Sequence, residues 1–175
     1  MTSVYFAYGS NLLAARLQAR CPSATPLGPA SLPGYSMAFP LSSRHDGSGK
    51  AGIVAAPEAR VWGRLYQMAP KEIPELDQIE GLNYERCDIT VHTQTGTERA
   101  FTYIPKRQGE DDTPFDWYLA LILWGAREAG APNDVQTELR ATPWRADPDQ
   151  SREGFSAARS AFEASGITDW RQVLG

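Results

Sequence analysis

The chain has 175 residues, of which 42% are hydrophobic, and a formal net charge of −4. This length supports one domain with its own core, and the acidic balance argues against nucleic acid as a partner. No apolar run is long enough to span a membrane, no signal peptide is recognisable, and the two cysteines fit no metal spacing, so we expect a cytoplasmic protein with reduced thiols and no membrane partner.

The first predicted element is a short buried strand over 4–8, which leads through the turn Tyr8–Asn11 directly into a leucine-rich helix. Asn11 or Ser10 is a suitable N-cap for that helix. The turn residues between the following apolar segments then predict a strand over 34–39, a polar loop over 42–49, and two strands over 52–56 and 61–68 that pair through a turn at 57–60.

In the second half of the chain, Pro70 begins a short helix that Gly81 ends. Strands over 84–93 and 99–104 follow, joined by a turn at Thr95-Gly96, and then helices over 115–129, 133–141, 151–164 and 168–174. The short connections between strands favour antiparallel pairing. The expected fold class is α+β, a small, mixed, mostly antiparallel β-barrel with surrounding helices, in a single domain over 1–175.

Glu80 is the first candidate for chemistry. It lies about 40° from the centre of the apolar stripe formed by Ile73, Leu76 and Ile79, at the C-terminal end of its helix. Burial and the helix dipole would both raise its pKa, which suits a general acid or base. Most helical glutamates are solvated, so the alternative is a carboxylate that turns into solvent beside Gly81.

The turn Tyr8–Asn11 is the second candidate, because a glycine-containing turn between a strand and a helix offers backbone N–H groups to an anion. An ordinary capped turn is the alternative. Ser10 could act as a nucleophile only with a base, and His45 and His92 are the two histidines of the chain. Tyr118 lies in a predicted buried helix, where its hydroxyl needs a partner.

Together these segments resemble the gamma-glutamylcyclotransferase family. The N-terminal segment Tyr5-Phe6-Ala7-Tyr8-Gly9-Ser10-Asn11-Leu12 is similar to the family signature, and the later landmarks follow in the family's order. These landmarks are Gly52-Ile53-Val54, Val61-Trp62-Gly63-Arg64-Leu65-Tyr66, Leu76-Asp77-Gln78-Ile79-Glu80-Gly81, and Trp117-Tyr118-Leu119 followed by 125–132. They cover about 4–141, and the C-terminal helices over 151–174 match no motif.

The resemblance implies a cofactor-independent and metal-independent enzyme with a barrel fold. It converts a γ-glutamyl amino acid, peptide or amine to 5-oxoproline and a free amine, a reaction of glutathione metabolism. It assigns Glu80 as the catalytic general base and acid. The substrate-binding residues that it implies are Tyr5, Phe6, Ala7, Tyr8, Gly9, Ser10, Asn11 and Tyr118. The loops over 42–50 and 106–114 match no motif, and in the family such loops would shape the leaving-group pocket.

Two other functions stay open from the sequence. The fold could serve as a non-catalytic domain that binds γ-glutamyl ligands, although the glutamate at position 80 speaks against this. A different acyl-transfer enzyme would use Ser10 as nucleophile and a histidine as base. A homodimer is compatible with the sequence, which leaves the oligomeric state open.

Overall fold

A computed structural model of the chain describes residues 2–107, 109 and 112–175, so part of the polar loop predicted over 106–114 lies outside the described residues. The five strands are β1 (Ser3–Ala7), β2 (Thr25–Ser42), β3 (Gly49–Met68), β4 (Tyr84–Thr93) and β5 (Gly96–Pro105). The five helices are α1 (Ala14–Gln18), α2 (Ile73–Glu80), α3 (Asp116–Glu128), α4 (Asn133–Arg140) and α5 (Glu153–Ala164). Short 3₁₀ turns occupy Ser10–Leu12, Pro70–Glu72, Gly81–Asn83 and Trp170–Leu174.

The strands form a closed barrel in the order β1-β3-β2-β4-β5. Neighbouring strands are antiparallel except β1 and β5, which are parallel where Tyr5 pairs with Phe101 and closes the barrel. The prediction of a mixed, mostly antiparallel barrel with helices around it is confirmed. Closure satisfies the backbone groups that an open sheet would expose at its edges.

The prediction of a turn at 57–60 is wrong, because β3 runs without interruption through these residues. Both apolar halves of β3 pair with β2 and not with each other. Pro33 pairs with Arg60 but Tyr35 pairs with Ala55, so four residues of β3 lie opposite Gly34 alone in a bulge. Gly34 has a φ of 81°, a conformation that its lack of a Cβ permits.

The leucine-rich helix after β1 is also shorter than the sequence predicts. A 3₁₀ turn over Ser10–Leu12 precedes α1, and Leu13 stands between them in extended conformation. Neither Ser10 nor Asn11 is the N-cap of α1, and the two helical segments have no side-chain cap. The capping prediction is therefore wrong, and the physical reason is that the Asn11 side chain makes hydrogen bonds elsewhere.

Helix α3 is buried along nearly its whole length and packs directly on the turn after β1. A Cβ built on Gly125 would lie 2.3 Å from the backbone N of Leu13, so the close approach of the two segments requires glycine. This contact fixes α3, and with it Tyr118, relative to the turn.

The C-terminal segments pack against α3. Trp124 donates from Nε1 to the Trp170 carbonyl at 2.9 Å, and Trp170 stacks on Phe162 at 5.8 Å between ring centroids. Trp117 donates from Nε1 to the buried Asp147 carboxylate at 2.8 Å. No helix in the described part of the chain combines the length and apolarity needed to cross a membrane.

Candidate active site

A cavity of about 310 Å³ lies where the turn after β1, the end of α2 and the start of α3 meet. This volume includes the space where the cavity opens to solvent. Its walls contain most of the site residues expected from the sequence. The lining residues are Tyr5, Tyr8, Gly9, Ser10, Asn11, Ala51, Glu80, Tyr84, Tyr103 and Tyr118.

Phe6 and Ala7 are the expected substrate-binding residues that do not line the cavity. Both side chains are fully buried. Successive side chains of a strand point to opposite faces. Phe6 packs in the core cluster that includes the buried residues of α3, whereas Ala7 packs on the other side of the strand in the cluster that includes Leu17. These two residues therefore hold β1 in place, while the residues on either side of them reach the cavity.

The Glu80 carboxylate reaches the cavity from the last residue of α2. Gly81 follows with a φ of 67°, which ends the helix directly after Glu80. The side chain is 16% exposed, and its Oε1 accepts from Asn11 Nδ2 at 3.3 Å and lies 3.6 Å from Arg20 Nη1. Burial raises the pKa of Glu80, and the charge of Arg20 and the Asn11 hydrogen bond oppose that shift without cancelling it.

Asn11 connects three of the groups around this carboxylate. Its Nδ2 donates to Tyr5 Oη at 3.1 Å as well as to Glu80, and its Oδ1 accepts from Arg20 Nη1 at 3.0 Å. The arginine fixes which side of the amide carries the oxygen, so the two amide hydrogens face Tyr5 and Glu80. The buried amide thereby sets the orientation of Glu80.

Three residues of the turn after β1, Gly9, Ser10 and Asn11, line the cavity. Leu12 N donates to Gly9 O at 2.9 Å, the first internal hydrogen bond of the turn, so the preceding N–H groups of Ser10 and Asn11 are not used by it. Gly9 is tightly packed, since a Cβ there would lie 3.2 Å from Ala51 Cβ and 3.9 Å from Tyr118 Oη.

Tyr118 and Tyr84 are held on opposite backbone atoms of Ala51, at the start of β3. The Ala51 N–H donates to Tyr118 Oη at 3.2 Å, and Tyr84 Oη donates to the Ala51 carbonyl at 2.6 Å. Burial raises the pKa of both phenols, so each stays neutral at physiological pH. Lys50 covers the Tyr118 ring, with its Nζ 4.8 Å from the ring centroid.

A Ser–His site is absent from this cavity. No histidine is among the residues that line it, and His45 and His92 are both exposed. The described residues also contain no cluster of His, Cys, Asp and Glu that could hold a metal ion. Glu80 is the one carboxylate among the described residues that line the cavity.

Arg20, Tyr84 and Tyr103 are site residues that the sequence reasoning missed. Arg20 lies just beyond the end of α1, where helical periodicity no longer predicts its direction. Tyr84 follows Glu80 by four residues, across a turn, and the closure of the barrel brings β5 and Tyr103 beside β1. Tyr84 and Tyr103 each lie in a predicted strand with alternating side chains. That alternation does not show which face of the strand meets a site.

The comparisons with known proteins identify the family of the chain. The gamma-glutamylcyclotransferase of Mus musculus is 35% identical over 148 residues, which are 80% of this chain and 78% of the mouse protein. The human protein of the same name is 34% identical over 145 residues, 79% of this chain and 77% of that protein. The chain belongs to the gamma-glutamylcyclotransferase family.

A solved gamma-glutamyl cyclotransferase structure matches with a TM-score of 0.82 and 30% identity, over 89% of this chain and 96% of that one. Residues 60–139 also match the model of the AIG2-like family. The barrel of this chain is thus the gamma-glutamylcyclotransferase fold, and the predictions of the family and of an enzyme are confirmed.

Proposed function

We propose that this gamma-glutamylcyclotransferase cleaves a γ-glutamyl amino acid, peptide or amine to 5-oxoproline and the free amine, with Glu80 as general base and then general acid. The observation that carries the proposal is the largely buried Glu80 carboxylate, which accepts from Asn11 Nδ2 and lines a cavity together with the turn after β1. The proposal includes a small-molecule γ-glutamyl substrate, a cytoplasmic location and a single domain over the whole chain.

The reaction removes two protons from the α-nitrogen and adds one to the leaving nitrogen. The α-ammonium loses a proton to Glu80, the free amine attacks the γ-carbonyl carbon to form the ring C–N bond, and the ring nitrogen then loses its second proton to solvent. The carbon–nitrogen bond to the leaving group then breaks as Glu80 returns the proton to the departing nitrogen. One carboxylate with a raised pKa can do both near neutral pH.

The remaining walls fit the other demands of this chemistry. The N–H groups of the turn after β1 are donors for the oxyanion that develops on the γ-carbonyl or for the substrate carboxylate. The phenols of Tyr5 and Tyr118 border the space where the substrate would fold for ring closure, and a folded substrate lowers the entropic part of the barrier.

The test is the release of 5-oxoproline from γ-glutamyl amino acids, a γ-glutamyl-lysine amide and glutathione, measured by mass spectrometry. Glu80→Gln keeps the size and the hydrogen-bond acceptor but cannot take the proton, so turnover should fall about 10²- to 10⁴-fold. Glu75→Gln is the matched control, because it removes an exposed carboxylate from the same helix. Equal turnover by wild type and Glu80→Gln would refute the mechanism.

A wild-type protein that binds γ-glutamyl compounds without forming 5-oxoproline would be a binding domain of this fold instead. Loss of turnover in Ser10→Ala with a trappable acyl-enzyme would indicate the serine mechanism, which the exposed positions of both histidines disfavour.

A further inference from the structure

Helix α2, which carries Glu80, is anchored in the core by few side chains. Leu76 is its one buried side chain among the described residues, Ile73 is half-buried at the other end of the helix, and Ile79 is exposed. The helix has 8 residues, and a helix of this length depends on tertiary contacts for its stability. The last turn, where Glu80 lies, therefore depends on polar contacts for its position.

The Asp77 carboxylate makes two such contacts in this last turn. Its Oδ1 accepts from Tyr103 Oη at 2.7 Å, and its Oδ2 accepts from Arg86 Nη1 at 2.6 Å. Arg86 and Tyr103 are register partners on β4 and β5, so their side chains lie next to each other on the same face of the sheet. Two neighbouring strands of the barrel thus hold both oxygens of one carboxylate.

The contact with Tyr103 is the better protected of the two. The Arg86 and Asp77 side chains are 44% and 39% exposed, and exposed ion pairs contribute little to stability. Tyr103 is buried, lines the cavity, and meets the Tyr5 ring edge-on at 5.9 Å between ring centroids. Its carbonyl accepts from Tyr8 Oη at 2.6 Å. The Tyr103 phenol is therefore a fixed point of the barrel that holds Asp77.

The position of Asp77 is coupled to that of Glu80 through the helix backbone. The two residues are three positions apart, so they are neighbours on the helix surface. The Gly81 N–H donates to the Asp77 carbonyl and closes the turn that contains Glu80. A displacement of about 1 Å at a reacting group can lower the rate about 100-fold. A looser Asp77 would therefore displace the carboxylate that the reaction needs.

We propose that Asp77 is a positioning residue: Tyr103 holds its carboxylate, and the last turn of α2 thereby places Glu80 in the cavity for proton transfer. This inference rests on the proposed function, because it concerns the step that Glu80 performs. Asp77 is not among the described residues that line the cavity, so it acts through Glu80 and not on the substrate.

The test measures kcat and KM for release of 5-oxoproline from a γ-glutamyl amino acid. Asp77→Ala and Tyr103→Phe each remove the hydrogen bond, so kcat should fall about 10- to 100-fold while KM stays within about twofold of wild type. Asp77→Asn keeps an oxygen that accepts from the Tyr103 hydroxyl, so it should retain most of kcat. The double variant Asp77→Ala/Tyr103→Phe should be no slower than either single variant. Glu75→Ala is the matched control, because it removes an exposed carboxylate from the same helix.

The pKa of Glu80 without substrate is a second measurement, made by NMR titration of the carboxyl carbons, with Glu80→Gln to assign the signal. A Glu80 side chain that moves towards solvent loses the burial that raises its pKa, so the pKa should fall towards its ordinary value. Asp77→Ala and Asp77→Asn remove the same charge, so a lower Glu80 pKa in the alanine variant reports a change of position. Tyr103→Phe removes no charge and should lower the Glu80 pKa as well.

A wild-type kcat in Asp77→Ala and Tyr103→Phe, or a loss in Asp77→Asn as large as in Asp77→Ala, would overturn the inference. So would a Glu80 pKa that is the same in both Asp77 variants. A purely structural role would lower the melting temperature without moving kcat or the Glu80 pKa. Should Asp77→Ala not fold, Tyr103→Phe against wild type makes the same comparison.

The proposed function and this inference fail in different ways. A wild-type protein that forms no 5-oxoproline would refute the proposed reaction. The Glu80 pKa, which is measured without substrate, would then decide whether Asp77 and Tyr103 position the carboxylate. A protein that forms 5-oxoproline equally well with and without the Asp77–Tyr103 hydrogen bond would keep the reaction and refute the positioning role.

Discussion

Glu80→Gln should make the protein more stable at neutral pH while it removes activity. The pKa of Glu80 is raised above its ordinary value of 4.5, mainly by burial. A group whose folded pKa is raised contributes stability below the ordinary pKa, and that contribution is lost as pH rises through the folded pKa. Glutamine resembles the protonated carboxyl group, so the variant keeps at pH 7.5 the stability that the wild type has lost.

The magnitude follows from the size of the shift. Each pKa unit of upward shift corresponds to about 1.4 kcal/mol of unfolding free energy at pH values above the folded pKa. For a domain of this length, 1 kcal/mol moves the melting temperature by about 2–4 °C. Each unit therefore raises the melting temperature of Glu80→Gln over wild type by about 3–6 °C at pH 7.5, and the difference should vanish near pH 4.

The assay is thermal unfolding of wild type, Glu80→Gln and the control Glu75→Gln at pH 4 and pH 7.5. Glu75 is exposed, so its substitution should change the free energy of unfolding by no more than about 0.5 kcal/mol at either pH. A Glu80→Gln protein that is less stable than wild type at pH 7.5 would refute the reasoning. So would an increase of the same size at both pH values, since it would not come from ionisation.

Three further predictions concern neighbouring residues. Arg20→Gln removes a charge that lowers the pKa of Glu80, so the acid limb of the pH profile of kcat/KM should move to higher pH; Arg20→Lys should move it less, and an unmoved limb would contradict the contact. In Tyr118→Phe the Ala51 N–H loses the hydroxyl to which it donates, so the free energy of unfolding, measured with urea, should fall by about 1–3 kcal/mol and KM should rise. Unchanged values of both would contradict a role of the Tyr118 hydroxyl in stability and substrate binding. Gly63→Ala places a Cβ 2.5 Å from Phe6 Cζ, so overpacking should lower the melting temperature without changing the pH profile of kcat/KM. An unchanged melting temperature would show that β1 can shift to accommodate the added methyl group.

The direction of Glu80 was predicted from helical periodicity, but the reason for its burial was not. The predicted stripe assumes that Ile79 is buried, whereas Ile79 is 43% exposed and Leu76 is fully buried. The last turn of α2 therefore does not pack its Ile79 side chain into the hydrophobic core. Glu80 is buried because the turn after β1, Arg20 and the tyrosines surround it, and these are contacts between distant parts of the chain that no local pattern contains.

The error at 57–60 has a related cause. Pro57 and the polar residues after it form a sequence typical of a turn. The apolar segments on both sides looked able to pair with each other, but each has a partner in β2. The register between β2 and β3 shifts at Gly34, where four residues of β3 form a bulge, so the two long strands stay paired on both sides of it. Only the partner strand distinguishes a bulge from a turn here.

The composition of the cavity fits a reaction that is driven by one proton-transfer group. The lining includes the phenols of five tyrosines, and the pKa of each is raised by burial, so none of them ionises near neutral pH. Glu80 is the one carboxylate that lines the cavity in the described part of the chain. The phenols and the turn amides therefore supply fixed donors and acceptors whose charge does not change with pH. The pH dependence of the chemical step should follow the pKa of Glu80. Asn11 and Arg20 hold the carboxylate of this residue in place.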